Sequence, residues 1–373
     1  MTQAGAMTQN PLKQALNFGQ SIWYDGLISK AEFERMIHED GIRGATTNPT
    51  IFEKALNHHD HDADIASLSK THSAEAIYQV LAVRAVQQVA DVFLPVFEET
   101  KGRDGFVSIE VSPLLAFETE KTIREAKELC RLVSRKNVMI KIPATKQGIP
   151  AIRSVIADGI NVNVTLIFSI DRYTEVMDAY LSGLEDRAAS GKPVSSIASV
   201  ASFFVSRVDT SVDKILDQKI SSGANDQVKS ALKDLLGKAG IANSKAAYDA
   251  FNKIFSSERF KRLKDLNAQV QRPLWASTGT KNLDYSDVLY VEALMGSDTV
   301  NTIPPATLDA FRDHGVAGSR LNQGLETAQL ILKKLKETGI DLDAITRDLE
   351  VAGVQSFSDS YQKLIECIQL KRK

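Results

Sequence analysis

Short apolar runs that end in polar residues alternate along this chain with stretches whose apolar positions recur at helical intervals, which is how alternating β and α units read. Eight such runs occur, at residues 21–25, 44–49, 106–111, 138–144, 160–168, 197–205, 274–279 and 299–304. Eight is the number that closes a parallel β/α barrel. The prediction is therefore an α/β chain folded as an eight-stranded parallel β/α (TIM) barrel, one domain over residues 1–373. Amphipathic stretches lie between the runs. Residues 31–39 open with the capping-box spacing Ser29 to Glu32, and residues 120–134 repeat the helical period. Residues 209–272, rich in Lys, Asp, Ser and Ala, predict a helical insertion after strand six, and a further insertion falls between strands two and three. Residues 321–373 read as two or more helices broken near Gly339 and Gly353, an extension expected to fold over the barrel mouth. Residues 1 to about 10 read as a frayed tail.

Alternation within the strands points to the chemistry. A barrel strand turns one parity of side chains toward the helices and the other into the lumen. In run four, Val138, Ile140 and Ile142 take the outer parity, which puts Lys141 inside near the strand's C-terminal end. A strand lysine ordinarily marks a solvated face, but a parallel barrel strand has none. On strand three Val107, Ile109 and Val111 point outward and Ser108 and Glu110 inward. On strand five Val162, Val164 and Leu166 point to the helices, while Asn161, Asn163 and Thr165 line the interior. Strand one ends in Asp25 and strand two in Thr47 and Asn48, so polar groups gather at the end where barrel active sites form. Burial disfavours the cationic form of an amine and leaves it able to attack a carbonyl, so Schiff-base chemistry is the natural use of an enclosed lysine. An interior Lys141–Glu110 ion pair that holds two strands together is the structural alternative, and the two are compatible. Arg207 past strand six, with Ser277 and Lys281 past strand seven, are the candidate phosphate ligands, since late barrel loops commonly bind phosphate.

Composition narrows the partners. Forty-five basic and 47 acidic residues leave a net charge of -2, so no global field attracts nucleic acid or an anionic membrane. Anionic small substrates then need a local basic site. Cys130 and Cys367 sit in helical patterns without metal-ligand spacing and read as reduced core residues. The lack of a signal-like N-terminus and of an unbroken apolar run of about 18 residues predicts a cytoplasmic, non-membrane protein. The tract Asn57, His58, His59, Asp60, His61, Asp62, Ala63, Asp64 carries metal-ligand chemistry, but consecutive ligands converge poorly, so a hydrated loop is expected, with no metal and no cofactor. Lys371, Arg372 and Lys373 read as a solvated end.

The run MIKIPATKQGI from Met139 resembles the Schiff-base motif of transaldolases, and the resemblance spans most of the chain. GATTNPTIF from Gly44, SIEV from Ser108, INVNVTLIFS from Ile160 and SFFVSR from Ser202 are similar to the family's motifs on strands two, three, five and six. The resemblance implies transfer of a dihydroxyacetone unit between sedoheptulose 7-phosphate and glyceraldehyde 3-phosphate, giving erythrose 4-phosphate and fructose 6-phosphate. It implies Lys141 as nucleophile, Asp25 as acid/base at the C4 hydroxyl, and Glu110 with Thr165 and a water as proton carriers. Asn48, Asn163 and Ser202 would hold hydroxyls, and Arg207 the phosphate. The segment ASTGTKN is two residues longer than the family's pattern, a departure that touches Lys281. The competing readings are a related aldolase that releases free dihydroxyacetone and a barrel without activity. Members of the aldolase group tend to carry Gln where Glu110 stands and Tyr where Phe204 stands, so both residues favour transfer, and a silent scaffold leaves the inward polar residues unexplained.

Overall fold

The computed structural model describes residues 10–56, 61–222 and 225–372. The eight expected strands form: β1 (Gln20–Asp25), β2 (Gly44–Thr46), β3 (Phe106–Glu110), β4 (Val138–Pro143), β5 (Val162–Ile167), β6 (Ser199–Phe204), β7 (Arg272–Ala276) and β8 (Thr299–Ile303). They pair in sequence order, all parallel, and β8 returns to β1, so the sheet is a closed barrel without edges. Helices follow the strands, as their apolar stripes require.

The outer parity packs as the alternation predicts. Val107, Ile109, Ile140, Ile142, Val162 and Val164 join one core under the helices, while Trp23, Phe106, Met139, Val200, Leu274 and Val300 fill the lumen as a second. Two assignments on strand five are corrected. Between Val164 and Ile167 the register against β6 shifts, and Leu166 sits in the left-handed region at φ 60°. The extra residue of this bulge returns Ile167 to the helix side and turns Leu166 to the lumen core instead. Asn161 lies before β5, where it donates to the Lys136 and Val138 carbonyls and accepts from the Ala198 amide, a tie at the lower rim and not a lumen residue.

At the N-terminal end the lumen is plugged by a buried ion pair. The Arg272 guanidinium lies 2.9 Å from Asp104, which also accepts from Ser21 and from the Trp23 indole. Both charged groups are almost wholly removed from water, so losing either would strand its partner. This end therefore closes the barrel and leaves the opposite end for chemistry.

The helical additions also form. Ser29 and Glu32 make the reciprocal capping box of helix Lys30–Asp40. The insertion after β6 folds into helices Ser206–Ser221, Asp226–Lys233, Ala239–Phe255 and Glu258–Lys264. The 26-residue helix Ala74–Glu99 is long and apolar enough to cross a membrane by length and composition alone, yet Ile77, Leu81, Val86, Ala90 and Phe93 along it are buried in the helix-side core. The C-terminal extension breaks at Gly339, as expected, between helices Leu325–Glu337 and Leu342–Lys371. It does not break at Gly353, which lies inside the second, 30-residue helix. A side chain there would meet Leu166 at 2.9 Å, so this glycine serves close packing and not chain reversal.

In the C-terminal basic run Arg372 is exposed, as a solvated end would be, and donates to the His72 carbonyl, while half-buried Lys371 pairs with Asp62 at 2.7 Å. Asp64 likewise pairs with Arg84. Residues 57–60 of the histidine-rich tract, and the tail at 1–9, lie outside the described residues. Neither cysteine forms a disulfide, and both are half-buried.

Candidate active site

Lys141 projects into the C-terminal half of the lumen and is 5% exposed. Its ammonium donates to the Thr47 carbonyl at 3.2 Å and lies 3.7 Å from the Glu110 carboxylate. Thr47 is held in turn, because its hydroxyl donates to the Ser108 carbonyl. The register of β3 on β4 sets Glu110 directly opposite Lys141, and that of β4 on β5 sets Asn163 there on the other side.

Above the amine opens a cavity of about 340 Å³ lined by nine of the eleven candidate residues: Asp25, Asn48, Lys141, Thr165, Ser202, Phe204, Arg207, Ser277 and Lys281. The other two lie behind the wall. Asn163 is fully buried, donates to Ser108 and accepts from the Ser202 hydroxyl at 2.7 Å, so it orients Ser202. Glu110 faces Lys141 on one side and a separate recess lined by Tyr78, Glu125 and Tyr361 on the other.

The electrostatics follow from burial. Desolvation pushes the Glu110 carboxyl up to about 7, against the pull of the Lys141 charge. The Asp25 carboxyl is raised as well, again by burial, with Lys141 and a 2.7 Å hydrogen bond from Thr46 opposing. A carboxyl raised toward neutrality is a better proton carrier at physiological pH than a surface one. Glu110 Oε2 and Thr165 Oγ1 are buried without a hydrogen-bond partner among the described residues, so each keeps capacity for a reacting group.

Arg207 is the second residue of the helix Ser206–Ser221, just after β6. It is half-buried, its guanidinium lies 5.8 Å from the Phe204 ring, and among the described residues it makes no ion pair. A cation kept partly from water without a counter-charge, at a helix N-terminus, suits an anionic ligand. The Ser206 amide and hydroxyl bind the Ser277 carbonyl and hydroxyl, which brings the end of β7 beside Arg207. The longer segment after β7 still delivers Lys281 to the cavity.

Sequence reasoning missed several lining residues. Thr46 and Thr302 bond each other at 2.6 Å, and Thr46 steers Asp25, a contact that parity could suggest but only the barrel closure makes. Lys54 adds a fourth cation, and Phe357 reaches the cavity from the C-terminal helix. No local signal marks Phe357. Among the described residues no cluster of three metal-ligating side chains occurs.

The family model described as Transaldolase/Fructose-6-phosphate aldolase matches residues 22–368. A protein of Trichodesmium erythraeum named Transaldolase is 44% identical over 375 residues, covering 98% of this chain and 99% of its own. One of Mycobacterium tuberculosis with the same name is 48% identical over 367 residues, 96% of each chain. A Nostoc protein named Transaldolase 2 is 43% identical over 376 residues, with 98% and 99% covered.

The raised Glu110 carboxyl predicts a pH signature. Between its ordinary value of 4.5 and about 7 the folded chain holds a proton that the unfolded chain has released, so stability falls as pH rises through that window and no further above it. Glu110→Gln removes this titration. The unfolding free energy of the unmodified protein minus that of the variant is expected to fall from about pH 5 to 7 and level off above about pH 8, as read from denaturant unfolding. A difference that is flat throughout contradicts the assignment.

Proposed function

The chain belongs to the transaldolase/fructose-6-phosphate aldolase family and is a transferase of the class I aldolase type, and from that premise we propose a mechanism in which Lys141 carries the transferred carbon. The substrates are sugar phosphates: a dihydroxyacetone unit passes from sedoheptulose 7-phosphate to glyceraldehyde 3-phosphate, as a cytoplasmic step of the pentose phosphate pathway, without a cofactor. The observation that carries this reading is the buried Lys141 amine facing Glu110 beneath a cavity that also holds Asp25 and Arg207, which has no ion pair among the described residues.

The amine of Lys141 adds to the ketose C2 carbonyl. The carbinolamine oxygen leaves as water after Glu110 supplies a proton, with Thr165 holding that water, and an imine remains. Asp25 then takes the proton of the C4 hydroxyl. The C3–C4 bond breaks, its electron pair flows into the imine, and the aldehyde leaves with the new carbonyl. The resulting enamine stays on Lys141 until its carbon attacks the acceptor aldehyde, and the same steps run in reverse. Asn48 and Ser202, with Asn163 behind them, orient neutral hydroxyls without adding charge near the amine. Arg207, aided by Ser277 and Lys281, grips the phosphate through a planar fork of donors. No step requires a metal, because the imine already withdraws the electrons that a Lewis acid would draw.

Fructose 6-phosphate alone should give a burst of about one glyceraldehyde 3-phosphate per chain and then stall, because the three-carbon unit remains attached. Adding erythrose 4-phosphate should restart turnover and yield sedoheptulose 7-phosphate. Steady release of dihydroxyacetone without acceptor would replace this reading with that of an aldolase. Arg207→Ala should raise KM for phosphorylated substrates roughly ten- to hundredfold, the loss of charge-assisted bonds of about 1.5–3 kcal/mol, and lower kcat much less. An unchanged KM would remove Arg207 from the phosphate site.

A further inference from the structure

The cavity has a roof that comes from the far end of the chain. The C-terminal helix crosses the barrel mouth and is fixed along its length. Glu350 accepts from Arg172 at 3.1 Å, Gly353 lies against Leu166, the Ser360 hydroxyl meets that of Thr50 at 2.9 Å, and the Tyr361 ring packs edge-on against Tyr78. Lys371 ties its last turn to Asp62. One turn beyond Gly353, Phe357 is buried and points down into the cavity, with the Lys141 ammonium 5.8 Å from its ring centroid. The bulge in β5 makes this seating possible: it keeps Thr165 in the cavity while turning Leu166 beneath the glycine.

We propose that Phe357 is a specificity-determining residue, whose ring covers Lys141 and its bound three-carbon unit so that the unit passes to an aldehyde instead of being lost to water. This inference rests on the function proposed above. Both fates of the enamine eventually need a water at the imine carbon to free Lys141, so they part earlier, at the nucleophilic carbon. That carbon either forms a bond to the acceptor's carbonyl carbon, whose oxygen then takes a proton, or it takes a proton itself. In the second case the iminium adds water, loses a proton, and collapses to dihydroxyacetone and the free amine, with one water consumed overall. Which fate wins depends on whether a proton donor other than the site's own carboxyls reaches the carbon. The Phe357 ring is apolar, has no proton to give, and fills the space through which solvent would approach.

The experiment compares the unmodified protein with Phe357→Ala and Phe357→Leu, given fructose 6-phosphate with and without erythrose 4-phosphate. The readout is dihydroxyacetone released relative to sedoheptulose 7-phosphate formed, and each protein is also treated with borohydride in the presence of donor. The alanine variant should raise the ratio roughly tenfold, and leucine, which keeps part of the cover, should raise it less. Borohydride should trap the adduct on Lys141 in all three. A ratio unchanged in the alanine variant, with the adduct still formed, overturns the role of Phe357 and leaves the proposed function standing. Failure to trap any adduct in the unmodified protein overturns the proposed function instead. Should the alanine variant fail to fold, the leucine variant decides, since a ratio equal to that of the unmodified protein contradicts the inference.

Discussion

An amine enclosed in a closed parallel barrel has no solvated face to turn to, and the upper half of this molecule is organised around that constraint. The lumen cannot hydrate Lys141, so its partners are supplied one by one: the Thr47 carbonyl, the Glu110 carboxylate and the face of Phe357. None of them is a strong fixed counter-charge at short range. Glu110 is itself pushed toward neutrality by burial, which weakens the ion pair and leaves the carboxyl able to exchange protons. The same low-dielectric setting that makes the pair costly makes it useful.

The two ends of the barrel solve the problem of a buried charge in opposite ways. At the lower end Arg272 and Asp104 form a close pair, and Ser21 and Trp23 satisfy further atoms of the carboxylate, so that end is structural. At the upper end Arg207 has no counter-charge among the described residues, and Thr165 Oγ1 and Glu110 Oε2 have no hydrogen-bond partner. Unmet polar capacity collected around one lysine is what distinguishes a site of chemistry from a plug.

Much of this was legible in the sequence, for a physical reason. Barrel strands are buried on both sides, so strict alternation in Val138–Pro143 and Phe106–Glu110 leaves little freedom about where Lys141 and Glu110 point. The alternation misled at Leu166, because a bulge adds a residue without leaving a mark in the hydrophobic pattern, and at Asn161, which precedes the strand. Gly353 was misread as a break because glycine serves both chain reversal and close packing, and only the neighbour Leu166 tells them apart. Phe357, Thr302 and the pairing of Asp104 with Arg272 depend on contacts between residues far apart in the chain and have no local signature. The roles of Asp25 and Asn48 came from family resemblance and that of Arg207 from its place after strand six as well, and all three line one cavity with Lys141.

The central claim is that the buried Lys141 amine is the group that bonds to the substrate. Borohydride reduction in the presence of fructose 6-phosphate, followed by peptide mapping, tests it most directly. The account predicts a single three-carbon adduct on the peptide that contains Lys141, and none in Lys141→Arg. An adduct on another lysine, with transfer activity retained in Lys141→Arg, would contradict it.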